Sequence, residues 1–157
     1  MLAYVFWHRP GKNVDRRRYE NALRQFHATL DVPSTTFRLR RLPFADVDGY
    51  EDWYLVEDWQ DLGTLKVRAV DDRRRDSHDR AAAMAMEGWG GIYGLLRGPT
   101  VPPPVASWRA KPSKQSYDEF LNSLTCPTIW QRQMVLGPAP EFCVGEDDSE
   151  DRQELSS

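Results

Sequence analysis

The chain opens on a strand pattern and passes straight into a helix pattern. Ala3-Tyr4-Val5-Phe6-Trp7 is aromatic and β-branched, with Tyr4, Phe6 and His8 on one face and Ala3, Val5 and Trp7 on the other. Pro10 and Gly11 stop the strand, and Asp15 is placed to cap a helix. Tyr19, Ala22, Leu23, Phe26 and Leu30 then recur at three- and four-residue steps until Pro33. From Thr35 to Pro43, Phe37 and Leu39 alternate with Arg38 and Arg40, which predicts a half-buried strand. Tyr50 to Trp59 predicts another, paired with it as a hairpin through Ala45–Gly49. Trp53, Leu55 and Glu57 share one of its faces, and Tyr54, Val56 and Asp58 the other.

Asp61 to Val70 reads as a helix on Leu62, Leu65 and Ala69. After a charged break at Asp71–Asp76, Asp76 or Ser77 caps a further helix carrying His78, Ala81, Ala82, Met84, Ala85 and Met86. Gly88-Trp89-Gly90-Gly91 ends it, and Ile92 to Arg97 is the next strand. The fold class is therefore α+β. The order β-α-β-β-α-β over residues 2–98 is the ferredoxin-like one, with a four-stranded antiparallel sheet and helices on one face. The free face would carry Tyr4, Phe6 and His8 or their alternates, too apolar to meet water, so it should be covered.

A proline-rich linker, 99–104, leads to a second unit at 105–144 that echoes the first. Val105-Ala106-Ser107-Trp108 is followed by a Lys/Pro turn at Lys111–Lys114. A helix follows, with Ser116 and Glu119 in capping-box spacing, and then a strand at Thr128-Trp130-Met134. This reads as a degenerate βαβ-like repeat, with Glu141–Val144 as a last edge strand after Pro138-Ala139-Pro140.

Charge changes the picture mainly at the end of the chain. The net charge is −3, yet Glu146, Asp147, Asp148, Glu150, Asp151 and Glu154 against Arg152 give residues 145–157 a net −5, which leaves the body at +2. Such a tail should be disordered. A chain of this length can bury about 70% of its unfolded surface, and its six Trp, six Tyr and six Phe supply a core without disulfides. Cys126 and Cys143 read as buried thiols; with no signal segment, a cytoplasmic location is the expectation. No apolar run approaches the ~20 residues of a membrane span. Arg16–Arg18 and Arg73–Arg75 have acidic residues close by and form no basic stripe, so no nucleic-acid partner is expected. Neither a phosphate-binding glycine loop nor HExxH nor Gly-x-Ser-x-Gly is present.

The aromatic strand Tyr4–His8, the helix with Tyr19 and Phe26, the strand Gly49-Tyr50-Glu51-Asp52-Trp53-Tyr54 and the passage Glu87-Gly88-Trp89-Gly90-Gly91-Ile92-Tyr93 resemble the dimeric α/β-barrel superfamily. The resemblance is one of pattern over residues 2–98. It implies two ferredoxin-like sheets packed face to face, usually from two subunits, around a small-molecule cavity. It implies a homodimer through sheet packing, and activities such as cofactor-independent monooxygenase, haem degradation or isomerase. No catalytic motif of the superfamily transfers residue by residue.

The chemistry the residues themselves offer is acid–base chemistry. His8, His78, Tyr54 and Arg40 are the candidate catalytic groups, because imidazole and phenol exchange protons and an inward arginine holds an anion. Tyr4, Phe6, Arg38, Tyr93 and Arg97 are the candidate ligand-binding residues, and His27 reads as a boundary histidine. Two readings from different classes follow. One is a cofactor-independent monooxygenase or isomerase acting on a small aromatic or polyketide-like compound. The other is a non-catalytic small-ligand-binding or stress-related protein. No cofactor and no metal are expected; haem would need an inward histidine with open space opposite.

Overall fold

In the computed structural model, residues 1–134, 137–145 and 152–155 are described. The elements are β1 (Leu2–Pro10), α1 (Arg16–His27), β2 (Ser34–Leu39), β3 (Gly49–Val56), α2 (Trp59–Arg68), α3 (Arg75–Ala82) and β4 (Ala85–Arg97). They continue as β5 (Ala106–Arg109), α4 (Tyr117–Ser123), β6 (Ile129–Met134), β7 (Phe142–Gly145) and β8 (Arg152–Glu154). No described helix is long and apolar enough to cross a membrane.

All eight strands join one antiparallel sheet in the order β5-β7-β6-β4-β1-β3-β2-β8. The sheet is curled nearly into a barrel. Laid flat, β7 and β8 would stand six strand spacings apart, roughly 29 Å. Only seven peptide steps join Gly145 to Arg152, a reach of about 25 Å when fully extended. The architecture is thus a small α+β barrel-like fold. The two units share one topology: β1-α1-β2 with β3 inserted between its strands, and β5-α4-β6 with β7 inserted between its own. β4 joins the two.

The helix signals sit where the sequence places them. Asp15 accepts from the Arg18 amide at 2.8 Å, and Ser116 and Glu119 form a reciprocal capping box. Three boundaries differ from expectation. Asp58 turns its carboxylate to the amides of Gln60 and Asp61, so the chain leaves β3 at Val56 and Trp59 begins α2. Arg74, not Asp76 or Ser77, precedes α3; Ser77 donates to the Arg74 carbonyl instead. The largest correction is at Gly88-Trp89-Gly90-Gly91, which ends no helix but runs inside β4. Its glycines are needed there, because the Tyr4 and Phe6 rings lie flat across β4. A Cβ at Gly90 would stand 2.8 Å from the Tyr4 ring, and one at Gly88 would overlap Phe6.

Residues 146–151 and 156–157 of the expected disordered tail lie outside the described residues; Arg152–Glu154 do not follow that expectation, for they form β8 on the edge of β2. Their anchor is inside the curl. Ala3, Val5, Trp7, Phe37, Leu39, Trp53, Leu55, Tyr93, Trp130 and Cys143 fill the inner face, with Trp108 packed against them. At their centre is Glu51, fully buried. Its Oε2 accepts from the indoles of Trp7 (2.9 Å) and Trp108 (2.8 Å), and its Oε1 from that of Trp53 (2.6 Å). Arg152 Nη2 lies 2.7 Å from Oε1, with the guanidinium 3.5 Å over the Phe37 ring. One carboxylate thus ties together β1, β3 and both edge strands. The second unit's own tryptophans cover the sheet face that the resemblance would pair with another subunit.

Replacing Glu51 by Gln turns one acceptor into a donor that faces an indole N–H and a guanidinium. Removing one partner of a buried ionic cluster costs about 3–5 kcal/mol. Urea unfolding of Glu51→Gln should show a loss of that order; a loss under about 1 kcal/mol would mean that the cluster does not hold the curl.

Candidate functional site

The outer face of the sheet carries the alternate residues. On β1 these are Tyr4, Phe6 and His8; on β3 they are Tyr50, Asp52 and Tyr54; on β2 they are Thr36 and Arg38. Helices α1, α2 and α3 cross above them. α1 lays Tyr19, Ala22, Leu23 and Phe26 toward the sheet, the stripe its periodicity predicts. α3 is held to the loop after α1 by the buried Arg74, which pairs with Asp31 and Asp71 and donates to the Thr29 carbonyl at 2.7 Å.

Between these helices and the sheet lies a cavity of about 750 Å³. That is the size of a small-molecule site. Tyr4, Phe6, Phe26, Tyr54, Leu62, Leu65 and Ile92 supply much of its wall, and Trp59 and Met134 stand half exposed at its border. On the sheet side a group of polar side chains converges on the wall residue Asp52, which is 2% exposed. Thr36 donates to its Oδ1 at 2.7 Å, and Tyr54 donates to its Oδ2 at 2.9 Å. His27 Nε2 sits 2.9 Å from Thr36 Oγ1 and 3.4 Å from Asp52 Oδ2. Because the Thr36 proton goes to Asp52, the network assigns a proton to His27 Nε2. His8 Nε2 lies 3.0 Å from Asp52 Oδ2, off the line of a good hydrogen bond. The other nitrogen of His8 is 2.6 Å from the Tyr19 hydroxyl.

Ring stacking fixes the orientation of this group. His8 stacks on Tyr50 at 5.6 Å and on Phe6 at 5.5 Å; Tyr54 stacks on His27 at 5.2 Å and on Tyr4 at 5.8 Å. Tyr50 in turn donates to Glu20 at 2.9 Å. Burial alone would raise the Asp52 carboxyl; the His8 and His27 imidazoles beside it outweigh that and hold it well below the usual carboxylate range. Burial, then the Asp52 charge, pushes the Tyr19 and Tyr54 phenols far up, so both stay protonated. The wall therefore presents an ionised carboxylate backed by two imidazoles and two neutral phenols.

The structure brings together some of the residues singled out in the sequence and separates others. His8, Tyr54, Tyr4 and Phe6 share the cavity wall, and His78 joins them from α3, its Nδ1 2.9 Å from Asp79 and its ring against Phe26. Arg40 is exposed just past β2, outside the cavity. Arg38 faces the outer side but lies toward Glu20, 3.9 Å away, at the start of α1. Tyr93 belongs to the inner core, where it donates to the Pro140 carbonyl at 2.6 Å. Arg97 donates to the Leu124 carbonyl at the end of α4. These four do not line the cavity, because strand alternation or chain position points them elsewhere. Asp52, Thr36 and Tyr19 are the residues that reading the sequence misses, and His27 is more than a boundary residue. The available signal is Glu51-Asp52, two adjacent acids inside an otherwise aromatic strand. Alternation sends one to each face, and each then needs partners there. Among the described residues, no group of three His, Cys, Asp or Glu is arranged to hold a metal ion.

A carboxyl whose pKa is depressed on folding adds stability that is present above its unfolded value and lost as pH falls below it. Asp52→Asn should therefore lose about 3 kcal/mol at pH 7. The gap from the parent should narrow by up to about 1.4 kcal/mol per pH unit below pH ~4. Urea unfolding at pH 7 and pH 3.5 measures both, and a gap independent of pH would show that Asp52 is not ionised in the fold.

Comparison of the chain with protein-family models, with curated proteins and with solved structures finds no match.

Proposed function

We propose that this chain binds a small, largely apolar carbonyl compound in the outer-face cavity and shifts a proton on it, as a cofactor-independent isomerase does. The observation that carries this is the row Tyr19–His8–Asp52, a 2.6 Å hydrogen bond followed by a 3.0 Å ion-pair contact, set in the wall of an aromatic cavity. Both His8 nitrogens are engaged, so the group that meets a ligand is the Tyr19 hydroxyl. A proton leaving a carbon next to the ligand carbonyl passes to Tyr19 Oη as the Tyr19 proton passes to His8 Nδ1. The resulting imidazolium is stabilised by Asp52, and the enolate oxygen accepts from Tyr54 as that hydroxyl turns from Asp52. Return of the proton to a different carbon completes the isomerisation with no redox change. The same enolate is what a cofactor-independent monooxygenase would offer to dioxygen as co-substrate. Haem is not part of this reading, since the Asp52 carboxylate stands 3.0 Å from His8 Nε2, where an axial bond would have to form.

The strand order supports the finer fold reading. β4-β1-β3-β2 is the order of a ferredoxin-like sheet, and β5-β7-β6 is three-quarters of a second one. On this reading a single chain supplies both halves of a barrel that the resembled superfamily usually builds from two subunits. A homodimer through the inner sheet face is then not needed, because Trp108 and Trp130 already cover it.

The second reading, a non-catalytic binding protein, is favoured by one observation: Tyr19 and His8 are almost wholly buried and bonded to each other. Proton exchange separates the two. With β-tetralone in deuterium oxide, followed by proton NMR, the proposal expects enzyme-dependent exchange of the α-hydrogens. Tyr19→Phe should slow it by about 100-fold or more with the fold retained. Binding without exchange would leave the binding reading standing; exchange unchanged in Tyr19→Phe would remove Tyr19 from the chemistry.

A further inference from the structure

Helix α2 is amphipathic with one position out of place. Trp59, Leu62 and Leu65 form its cavity-facing stripe, continued past its end by Ala69 and Val70, and Lys66 falls within that stripe at i+4 from Leu62. The next residue, Val67, faces solvent at 69% exposure. A helix needing only solubility would exchange the two. Among the described residues, Lys66 makes no ion pair or hydrogen bond, and it is exposed at the rim of the cavity it lines. The opposite, sheet-side wall has the reverse character. Its one carboxylate is the buried Asp52, with the His8 and His27 imidazoles behind it and no arginine or lysine among the residues of that wall.

A cavity polarised in this way orients its ligand. We infer that the ligand is an apolar carboxylic acid whose carboxylate rests at Lys66 on the rim and whose uncharged carbonyl end lies against the Asp52 wall. This rests on the reading of the cavity as a small-molecule site. A carboxylate turned inward would face Asp52, and two carboxylates in a shared buried site repel. Turned outward, it meets the cation and keeps part of its hydration, while the apolar body fills the aromatic space between. His78 also lines the cavity, from α3, with its Nδ1 turned to Asp79.

The test uses 2-naphthylacetic acid, its methyl ester and 2-naphthylethylamine, titrated calorimetrically into the full chain at pH 7.5. The acid should bind about five-fold tighter than the ester, the scale of one partly exposed ion pair, and raised salt should close the gap. In Lys66→Gln the acid should fall to the level of the ester while ester binding holds. Lys66→Glu should invert the order and favour the amine. Equal binding of acid and ester by the parent, or a preference that survives in Lys66→Gln, would overturn the inference while leaving the cavity a binding site. Failure of the ester as well as the acid to bind would overturn the small-molecule reading itself, and this inference with it.

Discussion

A carboxylate without water must be surrounded by donors, and Glu51 organises the molecule on that requirement. Three indole N–H groups and one guanidinium converge on it from β1, β3, β5 and β8. Hydrophobic contact alone would allow the inner tryptophans to pack in several ways. Three hydrogen bonds and an ion pair to one pair of oxygens allow far fewer, and they pull both edges of the sheet toward its middle. The curl follows, and with it the convex outer face across which α1, α2 and α3 lie.

Asp52 is the neighbour of Glu51 in sequence and its opposite in surroundings. Strand alternation sends it outward, where Thr36, Tyr54 and two imidazoles take the place of indoles and arginine. The inner acid is enclosed on every side and can only hold structure. The outer one borders the cavity between sheet and helices. One residue of register separates a staple from a site.

Local pattern carried much of this. Alternation in β1 and β3 sorted the side chains into the two sets the sheet shows without saying which set lies under the helices, and the caps at Asp15 and Ser116 fell where hydrogen-bonding chemistry puts them. The tertiary demands were not legible. Three glycines with Trp among them look like a helix stop, and only the Phe6 and Tyr4 rings lying across β4 explain why a strand needs Gly88 and Gly90. Arg152 sits in an acidic stretch whose composition argues for solvation, yet a single buried acid far away in the chain outweighs that composition. Arg40, Tyr93 and Arg97 were plausible by residue type and were placed elsewhere by geometry that periodicity does not encode. The site's centre, Asp52, was missed because an acid in a strand was read for its neighbours rather than for the face it must serve.

The pairing of β8 with β2 has a consequence for how the chain is made. Arg152 leaves the ribosome roughly a hundred residues after Glu51, since domains form from the N-terminal end as synthesis proceeds. Through most of translation the inner carboxylate must therefore wait with indoles for company and no cation. Contacts so distant along the chain form late and slowly. The closing of the barrel thus waits for Arg152, and a nascent chain halted before residue 152 carries an open seam along β2.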